Sequence, residues 1–143
     1  MDERYPIGVT DSCAVAVLRH DGGGDGYGSW STTVGLRSGE ATIRLPGHYA
    51  GVLAERLGTA AERFAPGRRL ARDEYLDVTA VANNDVETLA LSSTARSPVR
   101  VTIEVPRDEV DELAALLAEA QHVIETLRQG LGIVPDSLPE EAL

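Results

Sequence analysis

Residues 42–64, TIRLPGHYAGVLAERLGTAAERF, and residues 102–124, TIEVPRDEVDELAALLAEAQHVI, read as one structural phrase written twice. At an offset of sixty, Thr42, Ile43, Pro46, Leu53, Ala54, Leu57 and Ala60 match Thr102, Ile103, Pro106, Leu113, Ala114, Leu117 and Ala120. Each copy is a short alternating strand, a proline and an amphipathic helix. A repeat of this length predicts a pseudo-symmetric domain, because one supersecondary unit rarely buries its apolar face unaided.

Reading outward from the first copy, apolar residues alternate along Cys13, Val15 and Val17, along Trp30, Thr32, Val34 and Leu36, and along Ala41, Ile43 and Leu45. Period-2 alternation is the mark of half-buried strands. A glycine-rich loop, HDGGGDGYGS, separates the first two strands, and Ser38-Gly39 makes a tight turn between the next two. Pro46 and Gly47 end strand pairing. Tyr49, Val52/Leu53, Leu57, Ala60/Ala61 and Phe64 then form the stripe of a helix of four to five turns. A connector, APGRRLARD at 65–73, leads to the second copy. There Leu76, Val78, Ala80 and Ala82 alternate, Asn83-Asn84 supplies a turn tolerant of positive φ, Leu89 and Leu91 continue, and Val99, Val101, Ile103 and Val105 form a further strand.

The expectation is one α+β domain spanning 1–143, built as a tandem βββα-βββα repeat. Its two pseudo-repeats cover about 12–64 and 74–130, and an irregular acidic tail follows at 131–143. Connections within each triplet are too short for parallel crossovers, so the sheets are antiparallel, with both helices on one sheet face.

In the second helix Val110, Leu113, Leu117, Ala120, Ile124, Leu127 and Leu131 keep a 3-4-3-4 spacing, with Asp108 and Glu109 placed at its dipole-favoured start. Residues 107–130 would run on the order of 36 Å, longer than short strands require. Val110, Leu113, Leu117, Ile124, Leu127 and Leu131 are therefore the self-association candidates. Packing wholly against the first helix within one chain is the alternative.

Composition narrows the function classes. The chain has 143 residues and one cysteine, Cys13, so no intrachain disulfide forms, and its start, MDERYPIGV, lacks a signal-peptide pattern. No apolar run approaches the roughly 20 residues of a membrane span, so a cytoplasmic protein is expected. All thirteen basic residues are arginine. Residues 1–72 hold nine arginines against eight acids, a balance of +1, and residues 73–143 hold four against fifteen, a balance of −11. Acidity of this kind disfavours a phosphate backbone at long range and favours basic partners.

Chemistry-bearing residues are sparse. His20 sits beside Asp21 without further ligands in sequence, His48 begins the first helix, and His122 lies opposite the seam, so no metal set is read. Cys13 alternates toward the interior and reads as a small hydrophobe. The glycine loop fits neither a phosphate loop nor a dinucleotide fingerprint, and Thr32 stands where a calcium loop needs its bidentate carboxylate. No cofactor and no enzymatic activity are expected. The second copy has only a two-residue turn where the first has the loop, which makes Asp21, Asp25, Tyr27 and Trp30 the candidate interaction residues. On the outward faces stand Ser31, Thr33, Arg37, Thr42 and Arg44, then Asp77, Thr79, Arg100, Thr102 and Glu104. A Thr/Arg-rich sheet face is either solvated or a platform for an extended ligand.

In element order over residues 12–130, the tandem meander-plus-helix units resemble the whirly and PC4-like group, whose members often bind single-stranded DNA as oligomers. The chain departs from that group in having three expected strands per unit where four are typical, no lysine-rich strand and no outward aromatic to stack on bases. The primary expectation is a small, non-catalytic interaction protein (regulator, escort or immunity-type) that forms a homodimer or higher oligomer and binds a macromolecular partner, a basic protein. The alternative is single-stranded nucleic-acid binding.

Overall fold

Hairpin chemistry organises both halves of the chain. A computed structural model describes residues 2–21, 30–94 and 100–128. Four strands, β1 (Asp2–Val9), β2 (Ala14–Asp21), β3 (Trp30–Ser38) and β4 (Ala41–Pro46), pair antiparallel in sequence order and lead into helix α1 (Tyr49–Glu62). Four more, β5 (Arg69–Arg72), β6 (Leu76–Asn83), β7 (Val86–Ser93) and β8 (Thr102–Pro106), form a second antiparallel sheet. A 3-10 turn at Arg107–Glu109 then opens into helix α2 (Val110–Arg128).

The α+β class and antiparallel pairing follow the sequence, but the strand count does not. Each sheet has four strands where three were expected, and the extra one comes first in each half. The stretch read as a connector, 65–73, contains β5, and the N-terminus contains β1. Both are edge strands, which need little apolar pattern. Strand β1 carries Pro6 and a register shift between Pro6 and Gly8, which breaks its alternation, and proline is tolerated at an edge. Strand β5 is RLAR, four residues with a shift between Arg69 and Ala71. Smaller corrections concern boundaries. The turns fall one residue later than read, at Gly39-Glu40 and Asn84-Asp85, and β8 begins at Thr102, with Val99 outside the described residues. Asn84 (φ 50) and Asp85 (φ 65) both take the left-handed conformation that a two-residue hairpin demands.

Each sheet's first hairpin closes on the same device. Thr10 Oγ1 accepts the backbone N–H of Ser12 (3.4 Å) and Cys13 (3.1 Å), while Thr10 N–H donates to Cys13 O at 2.7 Å. In the second half, Asp73 Oδ1 accepts the N–H of Tyr75 (2.7 Å) and Leu76 (3.0 Å), while Asp73 N–H donates to Leu76 O at 3.0 Å. A short polar side chain folding back on its own turn is why Thr and Asp serve such corners.

The inner faces of both sheets and the facing sides of both helices make one core. Val15, Val17, Val34, Leu36, Ile43 and Leu45 from the first sheet join Val78, Leu89, Leu91, Ile103 and Val105 from the second, around Leu53, Leu57, Leu113, Leu117 and Ile124 of the helices. The helices lie along each other, and the two sheets approach where β4 meets β8. Polar links cross the halves as well. Glu109 Oε1 accepts Ser12 N–H (3.1 Å) and Oγ–H (2.9 Å), Gln121 Oε1 accepts Gly51 N–H (3.3 Å), and Arg107 Nε donates to Ala61 O (2.9 Å) at the end of α1. The β4–α1 corner is tight at Gly47, where a Cβ would stand 3.0 Å from Thr32 O and 3.3 Å from Ile124 Cδ1, so a larger residue needs its neighbours to give way. Among the described residues no helix is long and apolar enough to cross a membrane.

Candidate functional site

Side chains that could do something beyond packing fall in three places: the interaction residues anticipated from sequence, a tied carboxylate at Asp73, and the outer sheet faces. Asp21 and Trp30 pair in register at the loop end of the β2–β3 hairpin. Asp25 and Tyr27 lie outside the described residues, as does Leu131. The other self-association candidates, Val110, Leu113, Leu117, Ile124 and Leu127, are buried inside the chain's own core. Their seam is filled by α1 and the sheets, so a second copy reaches them only if the fold opens.

Asp73 is the most heavily bonded carboxylate. Besides its two turn N–H groups, it accepts from the Tyr49 phenol and the Arg56 guanidinium, both on α1. Burial pushes its pKa up, but the Tyr49 hydrogen bond, the Leu76 and Tyr75 N–H groups and the Arg56 charge outweigh burial and hold it below the usual carboxylate range. Burial, then Asp73 itself, raises the Tyr49 phenol. Four donors occupy its oxygens, so Asp73 fastens α1 to the second sheet and has no acceptor left for a substrate. Cys13 is similarly inert: burial lifts its thiol to about 11. His48 and His122 are exposed, with His48 edge-on to Tyr75 at 6.1 Å. No group of three or more His, Cys, Asp or Glu is arranged to hold a metal among the described residues. A surface cleft lined by Asp85, Val86, Glu87, Arg107 and Asp108 has its one cation already engaged, since Arg107 donates to Glu87 at 2.9 Å and to Ala61 O.

The outer faces carry the most organised chemistry. Pairing register puts Arg4, Arg37 and Arg44 on the outside of the first sheet, with Pro6, Ala16, Leu18, Thr33, Gly35 and Pro46 as the floor. Ala16 and Leu18 are only 0% and 6% exposed there, although neither belongs to the core cluster. The second sheet's outside is different. Across it run Arg72, Asp77, Ser92 and Thr102 in one row and Arg69, Thr79, Ala90 and Glu104 in the next. Asp77, 5% exposed, accepts from Arg69 Nε through Oδ1 and from Arg100 Nη2 through Oδ2, each at 3.1 Å. The arginines themselves stay 56% and 62% exposed. Beside them Ser92 and Thr102 share a hydroxyl hydrogen bond at 2.9 Å.

Charge is thus sorted. Six arginines stand on the outer sheet faces, where register also puts the acids Asp2, Asp77 and Glu104, whereas Asp108, Asp111, Glu112, Glu119 and Glu125 lie exposed at the start and along the outside of α2. Alternation in the sequence puts Asp77 and Arg100 on this face, whereas Arg69 falls in the connector 65–73, which shows no strand pattern. The missing signal was β5, since its strand register alone carries Arg69 beside Asp77. No protein-family model matches the chain, and no curated protein matches it significantly.

Proposed function

We propose that this chain is a non-catalytic binding protein whose working surface is the outer side of its sheets, and that its ligand there is a single nucleic-acid strand. The sorting of charge carries this reading: a molecule of net charge −10 keeps six arginines on two sheet faces against three acids there, Asp2, Asp77 and Glu104, while five further acids lie exposed at and along α2. Local potential at a face, more than net charge, decides where a strand docks, although the overall charge slows its approach. The strand count adds support, since four strands per unit remove one departure from the whirly and PC4-like pattern. The outer faces hold no aromatic among the described residues, so affinity comes from phosphate contacts with little base preference. A cytoplasmic, oligomeric protein belongs to the same reading, with self-association through a surface other than the α2 seam. Light scattering tests that part: a mass no greater than the 15.2 kDa monomer removes it.

Fluorescence anisotropy of a labelled single strand tests the main claim. Binding at low salt that weakens steeply with added salt is expected. Absence of binding at low salt overturns the reading. A second reading, a basic protein partner, is favoured by the exposed acids of α2, and it predicts that Glu112→Gln with Glu119→Gln weakens partner binding far more than it changes strand affinity.

A further inference from the structure

We infer that Arg69 and Arg100, fixed on Asp77 with Arg72 beside them, form the point on the second sheet that grips the phosphates of a bound single strand; the inference rests on the nucleic-acid reading above. Asp77 is buried on a face that no described helix covers, so its charge needs compensation, and two arginines supply it. A guanidinium carries five N–H donors. Arg69 spends Nε and Arg100 one Nη2 proton on Asp77, so each keeps donors directed away from the carboxylate.

The geometry ties down groups that would otherwise wander. Arg100 precedes β8, about 10 Å or two strand spacings from β6, so reaching Asp77 lays its side chain across β7 near Ser92. Arg69 reaches Asp77 from the other side, from edge strand β5. Ordering an arginine on binding costs side-chain entropy, and an arginine already held on a carboxylate has lost much of that freedom. Three arginines around one aspartate leave a local charge of +2, suited to phosphodiester oxygens.

The floor decides between anionic partners. A protein ligand normally anchors on buried apolar or aromatic groups. Around Asp77 the floor is Thr79, Ser92 and Thr102, hydroxyls suited to phosphate oxygens. The first sheet's outer face mixes Pro6, Ala16, Leu18 and Pro46 with Thr33 and Thr42, and among the residues of described burial no buried aspartate stands on it.

The experiment uses the intact chain and a labelled single strand of about twenty nucleotides, longer than the ~4–16 that one comparable single-strand-binding unit covers. Arg69→Gln with Arg100→Gln should weaken binding on the order of tenfold and lower the salt slope by about 1.4, each single-strand phosphate contact contributing ~0.7. Arg63→Gln, which removes one charge beyond α1, should change affinity less than about twofold. If the double variant keeps its melting temperature and binds the strand as tightly as the parent, the inference fails while the nucleic-acid reading stands. Should the double variant misfold, nitrogen-15 NMR of the arginine Nε–Hε groups in the unaltered protein decides: the strand must shift Arg69 and Arg100, and unmoved signals overturn the inference. If no strand binds but pyrophosphate shifts both arginines, the nucleic-acid reading falls and the site belongs to a small phosphate ligand. Displacement of the strand by polyglutamate at equal charge concentration would mean that the arginines read charge alone, and would overturn a phosphate site.

Discussion

The two sheets agree on the inside and differ on the outside. Inward, both present branched aliphatic residues to the same pair of helices, Val34, Leu36, Ile43 and Leu45 in one and Leu89, Leu91, Ile103 and Val105 in the other. Outward, the first sheet sets its arginines among Ala16, Leu18 and Thr33, and the second ties two of its arginines through a buried aspartate, Asp77, beside Ser92 and Thr102. The shared half is dictated by burial, where volume and branching leave few choices. Free of that constraint, the outer half is where the two sheets differ.

If the inner halves are equivalent, Ile43→Ala and Ile103→Ala should cost similar amounts, about 2–5 kcal/mol each, because both isoleucines are buried in the last strand of their sheet. Denaturant midpoints would check this; a gap above about 2 kcal/mol would break the parallel. The paired turns give a sharper contrast. Asp73→Ala should cost about 1–3 kcal/mol, since it strips the turn N–H groups and the Tyr49 phenol of their acceptor. Thr10→Ala removes a neutral cap alone and should cost about 0.5–1.5 kcal/mol. Only the Asp73 share depends on acid. Its folded pKa is depressed, so its contribution is complete above the ordinary value of about 3.9 and fades as pH falls toward and through the lowered one. Across that range the melting gap between parent and Asp73→Ala should narrow to the share a neutral acceptor keeps, and a gap that retains its full size at the acid end would refute a contribution from the Asp73 charge. The smallest effect concerns Cys13. With its thiol raised to about 11, alkylation at pH 8 should be far slower than for a free thiol, and stability should decline between pH 9 and 11 as the unfolded thiol ionises first. Rapid labelling of the folded protein would contradict the burial of the first hairpin.

How far the sequence could be read follows from which residues burial constrains. Both helices, β2–β4 and β6–β8 are visible because their inward positions alternate or fall in stripes. The 3-4-3-4 seam of α2 is equally visible, but its partner is not: Leu117 and Ile124 look the same whether they face a second chain or α1 of their own. The edge strands escape for a physical reason. Pro6 and a shifted register interrupt β1, and β5 has only Leu70 and Ala71 to turn inward. Missing β5 also hid the candidate site, because Arg69 and Asp77 are eight residues apart and meet only through the β5–β6 pairing. Asp73 was hidden likewise, its partners Tyr49 and Arg56 lying on a helix from the other half.

The bond between Ser12 and Glu109 spans a separation of 97 residues, and Val15 and Val17 share a core with Leu113 and Leu117. During synthesis the first sheet therefore leaves the ribosome with α1 but without α2, so part of its oily side is bare. At ~5–20 residues per second, the helix that shields it follows several seconds later. For that interval the nascent chain offers chaperones an exposed greasy sheet, and a protein finished in its N-terminal half is still waiting for its cover.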